Sequence, residues 1–294
     1  MALDVTGIAD YIKQNPNEIS TEAILGLTSL EYLTIQPGVR SSIEVQKLVT
    51  DAVLQTGDCG WSPSGTTTLS NRALAVTDYK VQENLCDKDL QPKLYQLLGK
   101  GANDESFSLE TAYVDLKVKT IQNTVDNLIW NATTVGAVDA FDGLIKVVID
   151  DAPVGNQIAR TGSIIADIDN LIALLPPAVL VGEGITCVMS MANYLALVVE
   201  FRTLDSNFIP LFDQMSMGFT YPGTNLSVRG VAGMRAANDI MIYNKSNMFV
   251  GTDLESDLST SKFWWSADNM EHRFHFGARL GVQVAIPEEV VIAS

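Results

Sequence analysis

Between Lys262 and Ile286 the sequence reads KFWWSADNMEHRFHFGARLGVQVAI, an aromatic block followed by a strictly alternating run. One side of that run carries His272, Phe274, Phe276, Ala278, Leu280, Val282, Val284 and Ile286. The other carries Arg273, His275, Gly277, Arg279, Gly281, Gln283 and Ala285. Period-two alternation of this length predicts a long, half-buried strand. Pro287, which has no backbone N–H, ends it. A chain that closes this way must carry its C-terminus back into a sheet, so the fold pairs strands distant in sequence.

The segments upstream set what that strand can pair with. Residues 1–45 hold two short helical patterns, one opened by Thr6 with Ile8 and Ile12, the other by Ser20 with Ile24, Leu25 and Leu27. Neither builds a core alone, which predicts an arm packed on something else. Residues 55–85 are rich in Gly, Ser and Thr and then turn strand-like, predicting a long protruding hairpin or extended loop. Residues 105–131 read as the clearest helix, capped by Ser108, with Leu109, Tyr113, Leu116, Ile121, Val125 and Leu128 near one stripe. After Phe141-Asp142-Gly143-Leu144, the run IKVVID predicts a strand. SIIADIDNLIALL predicts an amphipathic helix, VLVGEGITCVMS a strand, and MANYLALVVEF a helix capped by Ser190. Residues 205–260 read as mixed strands and turns. The order does not alternate as a doubly wound sheet would, so the class is α+β.

Little in the sequence points to chemistry. The two histidines, His272 and His275, fall on opposite faces of the predicted strand, which separates them as metal ligands. Gly60-Trp61-Ser62-Pro63-Ser64-Gly65 lacks the spacing of a nucleophile elbow and reads as a turn. No phosphate-loop or dinucleotide glycine pattern occurs. Cys59, Cys86 and Cys187 are widely spaced and suggest neither a zinc site nor a disulfide framework. The acidic residues are scattered and lack calcium-loop spacing. No cofactor and no metal is expected. Net charge is −16, from 19 Lys and Arg against 35 Asp and Glu, which argues against a general basic face for nucleic acid. Charged residues make up only 18% of the chain, which fits burial of surface against copies of itself. Neither a signal peptide nor a membrane span is expected.

Several stretches carry a family resemblance. Leu85-Cys86-Asp87-Lys88-Asp89-Leu90 follows the glycine-rich loop, Leu128-Ile129-Trp130-Asn131 ends the long helix, Phe141-Asp142-Gly143-Leu144 comes just after it, and Gly277-Ala278-Arg279-Leu280-Gly281-Val282-Gln283-Val284 closes the chain. In this order the sequence resembles tailed-phage major capsid proteins of the HK97-like fold. The Cys-containing motif is similar to one in some Bacteroidetes-phage members. The resemblance implies an N-terminal arm at 1–52, an E-loop at 53–84 and a spine helix at 106–131. It also implies a peripheral domain at 85–154 and 246–294, and an axial domain at 155–245. It implies a non-enzymatic role: copies of the chain form pentamers and hexamers that tile an icosahedral shell around double-stranded DNA, held without sequence-specific binding. Portal, scaffolding and decoration proteins are further implied partners, and the virion, assembled in the host bacterial cytoplasm, is the implied location. The arm begins near Met1, which points to separate scaffolding rather than a cleaved leader. Trp61, Tyr79, Lys80, Phe263, Trp264 and Trp265 are the candidate assembly residues, the aromatic ones on the ground that interfaces are enriched in such side chains. Removing residues 60–75 is expected to leave a folded chain unable to form shells. Two other readings stand beside this one: an encapsulin-type compartment shell, and a carboxylate-based enzyme, which would need a pocket with converging acids.

Overall fold

The structure, a computed structural model, describes residues 28–50, 57, 65–85, 109–137, 139–203, 218–234, 239–253, 261–269 and 271–294. In chain order the strands and helices begin with β1 (Thr34–Gln36), β2 (Ser42–Thr50), β3 (Thr67–Ala75), β4 (Thr77–Leu85) and the long helix α1 (Leu109–Asn131). Then come α2 (Leu144–Asp151), β5 (Gln157–Ile158), α3 (Ile164–Leu174), the single turn α4 (Pro177–Leu180), β6 (Ile185–Ser190) and α5 (Met191–Thr203). β7 (Gly218–Thr220), β8 (Ser227–Val231), β9 (Ile240–Asn244), β10 (Met248–Thr252), β11 (Ser261–Ser266), β12 (Glu271–Val284) and β13 (Val291–Ala293) complete the chain.

The closing run is β12, and it is the centre of the first sheet. β4 pairs along one edge, from His272↔Leu85 to Leu280↔Thr77. The other edge is shared by β11 over residues 271–276 and β10 over residues 280–284. β1 adds to β10 in parallel. The expected alternation holds: Phe274, Phe276, Ala278, Leu280, Val282 and Val284 are all buried. The opposite face is not simply solvated. A side chain at Gly281 would put its Cβ 2.0 Å from the Ala75 carbonyl oxygen, so glycine here lets the turn between β3 and β4 lie directly on the sheet. Past Pro287 the chain forms one more strand, β13, which sequence reading missed because only Val291–Ala293 pair. Asn247 clamps the crossing: its Oδ1 accepts from the Ile286 amide at 2.6 Å and its Nδ2 donates to the Ile286 carbonyl at 2.7 Å.

The second sheet has the order β5-β13-β9-β6-β8-β7. Its central strands are apolar on both faces because each face meets a separate core. Cys187, Met189, Ile240 and Ile242 point into a cluster with α3 and α5. Their neighbours Val188, Met241 and Tyr243 point into a cluster with α1, α2 and the first sheet. A continuous apolar run is what a strand covered on both faces requires. Two helix caps appear as side-chain bonds. Ser163 Oγ accepts from the Ala166 amide at 3.3 Å, and Ser190 Oγ, in the role expected for it, accepts from the Asn193 amide at 3.2 Å.

Two expectations fail, and a third holds only from Ile185: in VLVGEGITCVMS, Val179 and Leu180 belong to α4, which Pro177 starts as a helix turn. IKVVID is not a strand: it forms α2, with Leu144, Ile145 and Val148 buried at helical spacing. Eight residues this rich in branched chains suit either state, and packing against α1 decides it. Leu116 does not lie on the buried stripe of α1 but is 64% exposed, while Val118, Ile121, Ile129 and Trp130 are buried. The arm patterns at Thr6 and Ser20, the Ser108 cap and the motif at Cys86 lie outside the described residues.

The FDGL segment has a physical account. The Phe141 ring meets Tyr79 edge-on at 5.6 Å. The Asp142 carboxylate accepts from the Thr134 amide at 2.7 Å. Gly143 donates its amide to the Ala132 carbonyl at 2.8 Å and has no room for a Cβ, which would fall 2.7 Å from the Trp130 carbonyl oxygen. Leu144 is fully buried. Four consecutive residues thus turn the chain at the end of α1 and start α2.

Candidate assembly surfaces

Among the described residues no group of three or more His, Cys, Asp and Glu side chains is arranged to hold a metal. No helix among them is long and apolar enough to cross a membrane. What the chain does display is uncovered secondary structure. β2 and β3 form a separate two-stranded hairpin, in register from Ser42↔Ala75 to Thr50↔Thr67. Along β3 nearly every residue is exposed, Leu69 at 61%, until Leu74 at the root, which is fully buried. A two-stranded ribbon is marginal in water unless something packs on it. The root is fastened by polar contacts. Gln283 Nε2 donates to the Ala73 carbonyl at 2.9 Å, and Arg72 reaches both Gln283, at 3.2 Å, and the Asp151 carboxylate.

The candidate residues divide between support and display. Tyr79, half-buried on β4, packs on Phe141, and its hydroxyl accepts from the Ala140 amide at 3.3 Å. Burial pushes its hydroxyl pKa up, partly offset by that amide. Within the chain, then, Tyr79 joins β4 to the FDGL turn. Lys80, its neighbour, is exposed on the opposite face. Both line an apolar groove of about 180 Å³ between α1 and the β4–β12 pair, together with Val81, Ile121, Val125 and Phe276. Phe263 pairs through its backbone with Phe274. Trp264 and Trp265 are 42% and 48% exposed. Trp265 lies beside His272, ring centroids 4.7 Å apart. Trp61 lies outside the described residues.

Register places Trp264 and Lys262 on one sheet face with Arg273, His275, Gln82 and Lys80. This face gathers four basic side chains of a chain whose net charge is −16. Arg273 holds Glu271 at 3.1 Å. Further along, Arg279 bridges Asp78 at 2.6 Å and the buried Asp253 at 3.1 Å. The two histidines sit on opposite faces, as the strand period requires. Sequence reading picked Trp264 and Lys80 separately but missed Lys262, Arg273 and His275 as their neighbours. Only the pairing of β4, β12 and β11 brings them together.

No family model matches the sequence, and no curated protein does. Solved structures do resemble it. The capsid of an empty GTA particle aligns over 90% of this chain and 88% of its own, with TM-score 0.62 and 11% identity. A chain from Microbacterium phage Oxtober96 aligns over 91% and 90%, with TM-score 0.60 and 12% identity. A chain from the satellite phage P4 procapsid, which includes the size determination protein Sid, aligns over 94% and 96%, with TM-score 0.58 and 10% identity. The chain has the α+β, HK97-like fold.

Proposed function

We propose that this chain is a shell-forming structural protein, the major capsid protein of a tailed phage. Copies assemble as pentamers and hexamers into an icosahedral shell that encloses double-stranded DNA. The observation that carries this reading is a coincidence of two facts. The likeness to capsid chains runs over nine-tenths of the molecule. The parts this chain leaves uncovered, the hairpin β2–β3 and the Trp264 face, are parts that neighbouring copies would bury. The encapsulin reading ranks below it because the capsid neighbours include phage and GTA particles. The enzyme reading would need converging carboxylates, and of the two grooves found along α1 among the described residues one is lined by none and the other by Asp139 alone.

In this reading residues 1–52 are the arm, 53–84 the E-loop, 85–154 and 246–294 the peripheral domain, and 155–245 the axial domain. The register supports extending the E-loop ribbon back to Ser42 and ending it at Ala75, because β4 pairs along β12 in the first sheet. On this face Arg273 and Arg279 already hold Glu271, Asp78 and Asp253, and the exposed Lys80 and Lys262 beside Trp264 suit an acidic neighbour, such as a second copy of a chain at −16. Portal, scaffolding and decoration proteins, packaged DNA, the virion location and assembly in the host cytoplasm belong to the same proposal.

The test is electron microscopy of the purified chain beside a truncated one. Deleting 60–75 would remove the buried Leu74 and the root at Ala75, so the truncation must spare them. Joining Thr50 to Thr67 through an Asn-Gly turn keeps the root and removes the tip. The full chain is expected to form closed shells or capsomers, and the truncated chain to stay folded without shells. A full chain that remains a stable monomer under all assembly conditions sinks the proposal. Shells that form in a phage-free host and collect a protein cargo in place of DNA would favour the compartment reading.

A further inference from the structure

Three parts of the molecule meet at Asp126. It lies on α1, one turn before Trp130, and is 5% exposed. From the turn at Thr28–Tyr32, the Ser29 hydroxyl bonds to its carboxyl while accepting from Trp130 Nε1 at 2.9 Å. From the end of β8 in the second sheet, the Gly233 amide donates to the same carboxyl. Asn131, also on α1, donates its Nδ2 to the Gly233 carbonyl at 2.6 Å. Gly233 is held so closely that a Cβ there would lie 2.5 Å from Asp126 Oδ2. One carboxyl oxygen, Oδ1, is buried with no partner among the described residues.

We propose that Asp126 is a proton-responsive latch joining the arm base, the long helix and the second sheet: neutral, it holds Gly233 against α1, and ionised, it loosens that junction. A buried carboxylate with two donors and one bare oxygen is poorly solvated, whereas the neutral acid carries no charge to desolvate. Burial raises the Asp126 pKa, and the bonds from Ser29 and Gly233 only partly oppose this. The other titratable groups on the packed elements are Glu31 and Tyr32 on the turn and Arg229 on β8, and none of them shifts it. Because the closed-state pKa is raised, the latch is firm below the ordinary carboxylate value of 3.8 and weakens as pH rises through the raised one. The inference concerns the folded chain itself and does not depend on the shell reading.

Hydrogen exchange followed by mass spectrometry on the full chain tests it, with Asp126→Asn as the reference that stays neutral at every pH. The wild-type to D126N ratio of exchange at residues 231–234 is expected to climb about tenfold per pH unit above 3.8 and then level off. Ser29→Ala removes a bond that favours the charged form, so it should move the levelling point to higher pH. A ratio flat with pH, or a levelling point unmoved by S29A, overturns the proposal. Should D126N fold poorly, the carboxyl-carbon NMR titration of Asp126 decides. A midpoint above the ordinary carboxylate value supports the latch, and an ordinary midpoint overturns it.

Discussion

β6 and β12 are both central strands, and they are surfaced differently. Every residue of β6, from Ile185 to Ser190, is buried, because helices cover one face and the first core the other. Along β12 only one face is continuously buried. The other carries Arg273, His275, Arg279 and Gln283 at intermediate exposure, next to a ribbon that leaves the body of the molecule. The second-sheet region also pairs its buried carboxylates internally. Asp167, fully buried, accepts from Arg160 at 2.5 Å and from the Thr161 hydroxyl at 2.7 Å, and the Glu200 carboxylate accepts from the first amides of α3. The first-sheet region leaves Trp264, Trp265, Lys80 and Lys262 exposed. The contrast lies in the strands: β6 is covered on both faces, although α5 beside it still exposes Leu195 and Val199, whereas the outer face of β11 and β12 keeps large aromatic and basic side chains open.

The largest effect that tests this contrast is expected in the second-sheet region. Asp167→Ala removes the fully buried carboxylate that accepts from Arg160 and Thr161, and breaking such a buried pair costs about 3–5 kcal/mol, read as a lowered urea midpoint. Burial alone would raise the Asp167 pKa, but it is outweighed by the bonds from Thr161 and Arg160, so the net shift is downward. A lowered folded pKa means this stabilisation is present above the ordinary carboxylate range and lost as pH falls through the lowered value. D167A should therefore cost most at neutral pH and progressively less in acid. A cost that does not change with pH would break the closed-network account.

Next comes the ribbon root. Gly281→Ala forces its Cβ against the Ala75 carbonyl, which lies on backbone with no flexible end to yield. Overpacking of this kind costs about 3 kcal/mol, seen as a lower melting temperature. A neutral G281A would show that the ribbon is loosely seated, erasing its rigid attachment to the first sheet.

A smaller effect on stability, with a larger one on assembly, is expected at Trp264. Trp264→Ala should leave the isolated chain within about 0.5 kcal/mol of wild type, as exposed positions do, while light scattering records slower or absent assembly. A stability loss of several kcal/mol would mean the side chain belongs to the chain's own core. The least perturbing test labels thiols. Cys187 is fully buried, and burial pushes its thiol pKa well above the usual value, so alkylation there should wait for unfolding. Rapid native-state labelling at Cys187, mapped by peptide mass analysis, would show that the second sheet opens.

How much of this was legible depended on the range of the forces involved. The face alternation of β12, the helices α3 and α5 and the Ser190 cap could be read directly, since strand and helix periods and caps are local. The candidate surface was half legible: Trp264, Trp265 and Lys80 stood out as residue types, but Tyr79 gave no sign that its hydroxyl serves Ala140. IKVVID was misread because a short apolar run has no period long enough to choose, and the close approach of Gly143 to the end of α1 chose for it.

The sequence by itself determined where strands and helices could exist and which faces were apolar, because those follow from periodicity, steric propensity and water. Only the tertiary structure decided which strands share β12, that the second sheet divides two cores, and that Asp126, Ser29 and Gly233 meet. Several of those outcomes come from contacts between residues about a hundred or more positions apart, such as β4 with β12 and Asp126 with Ser29 and Gly233. Their geometry depends on every packed element between them, and no local pattern encodes it.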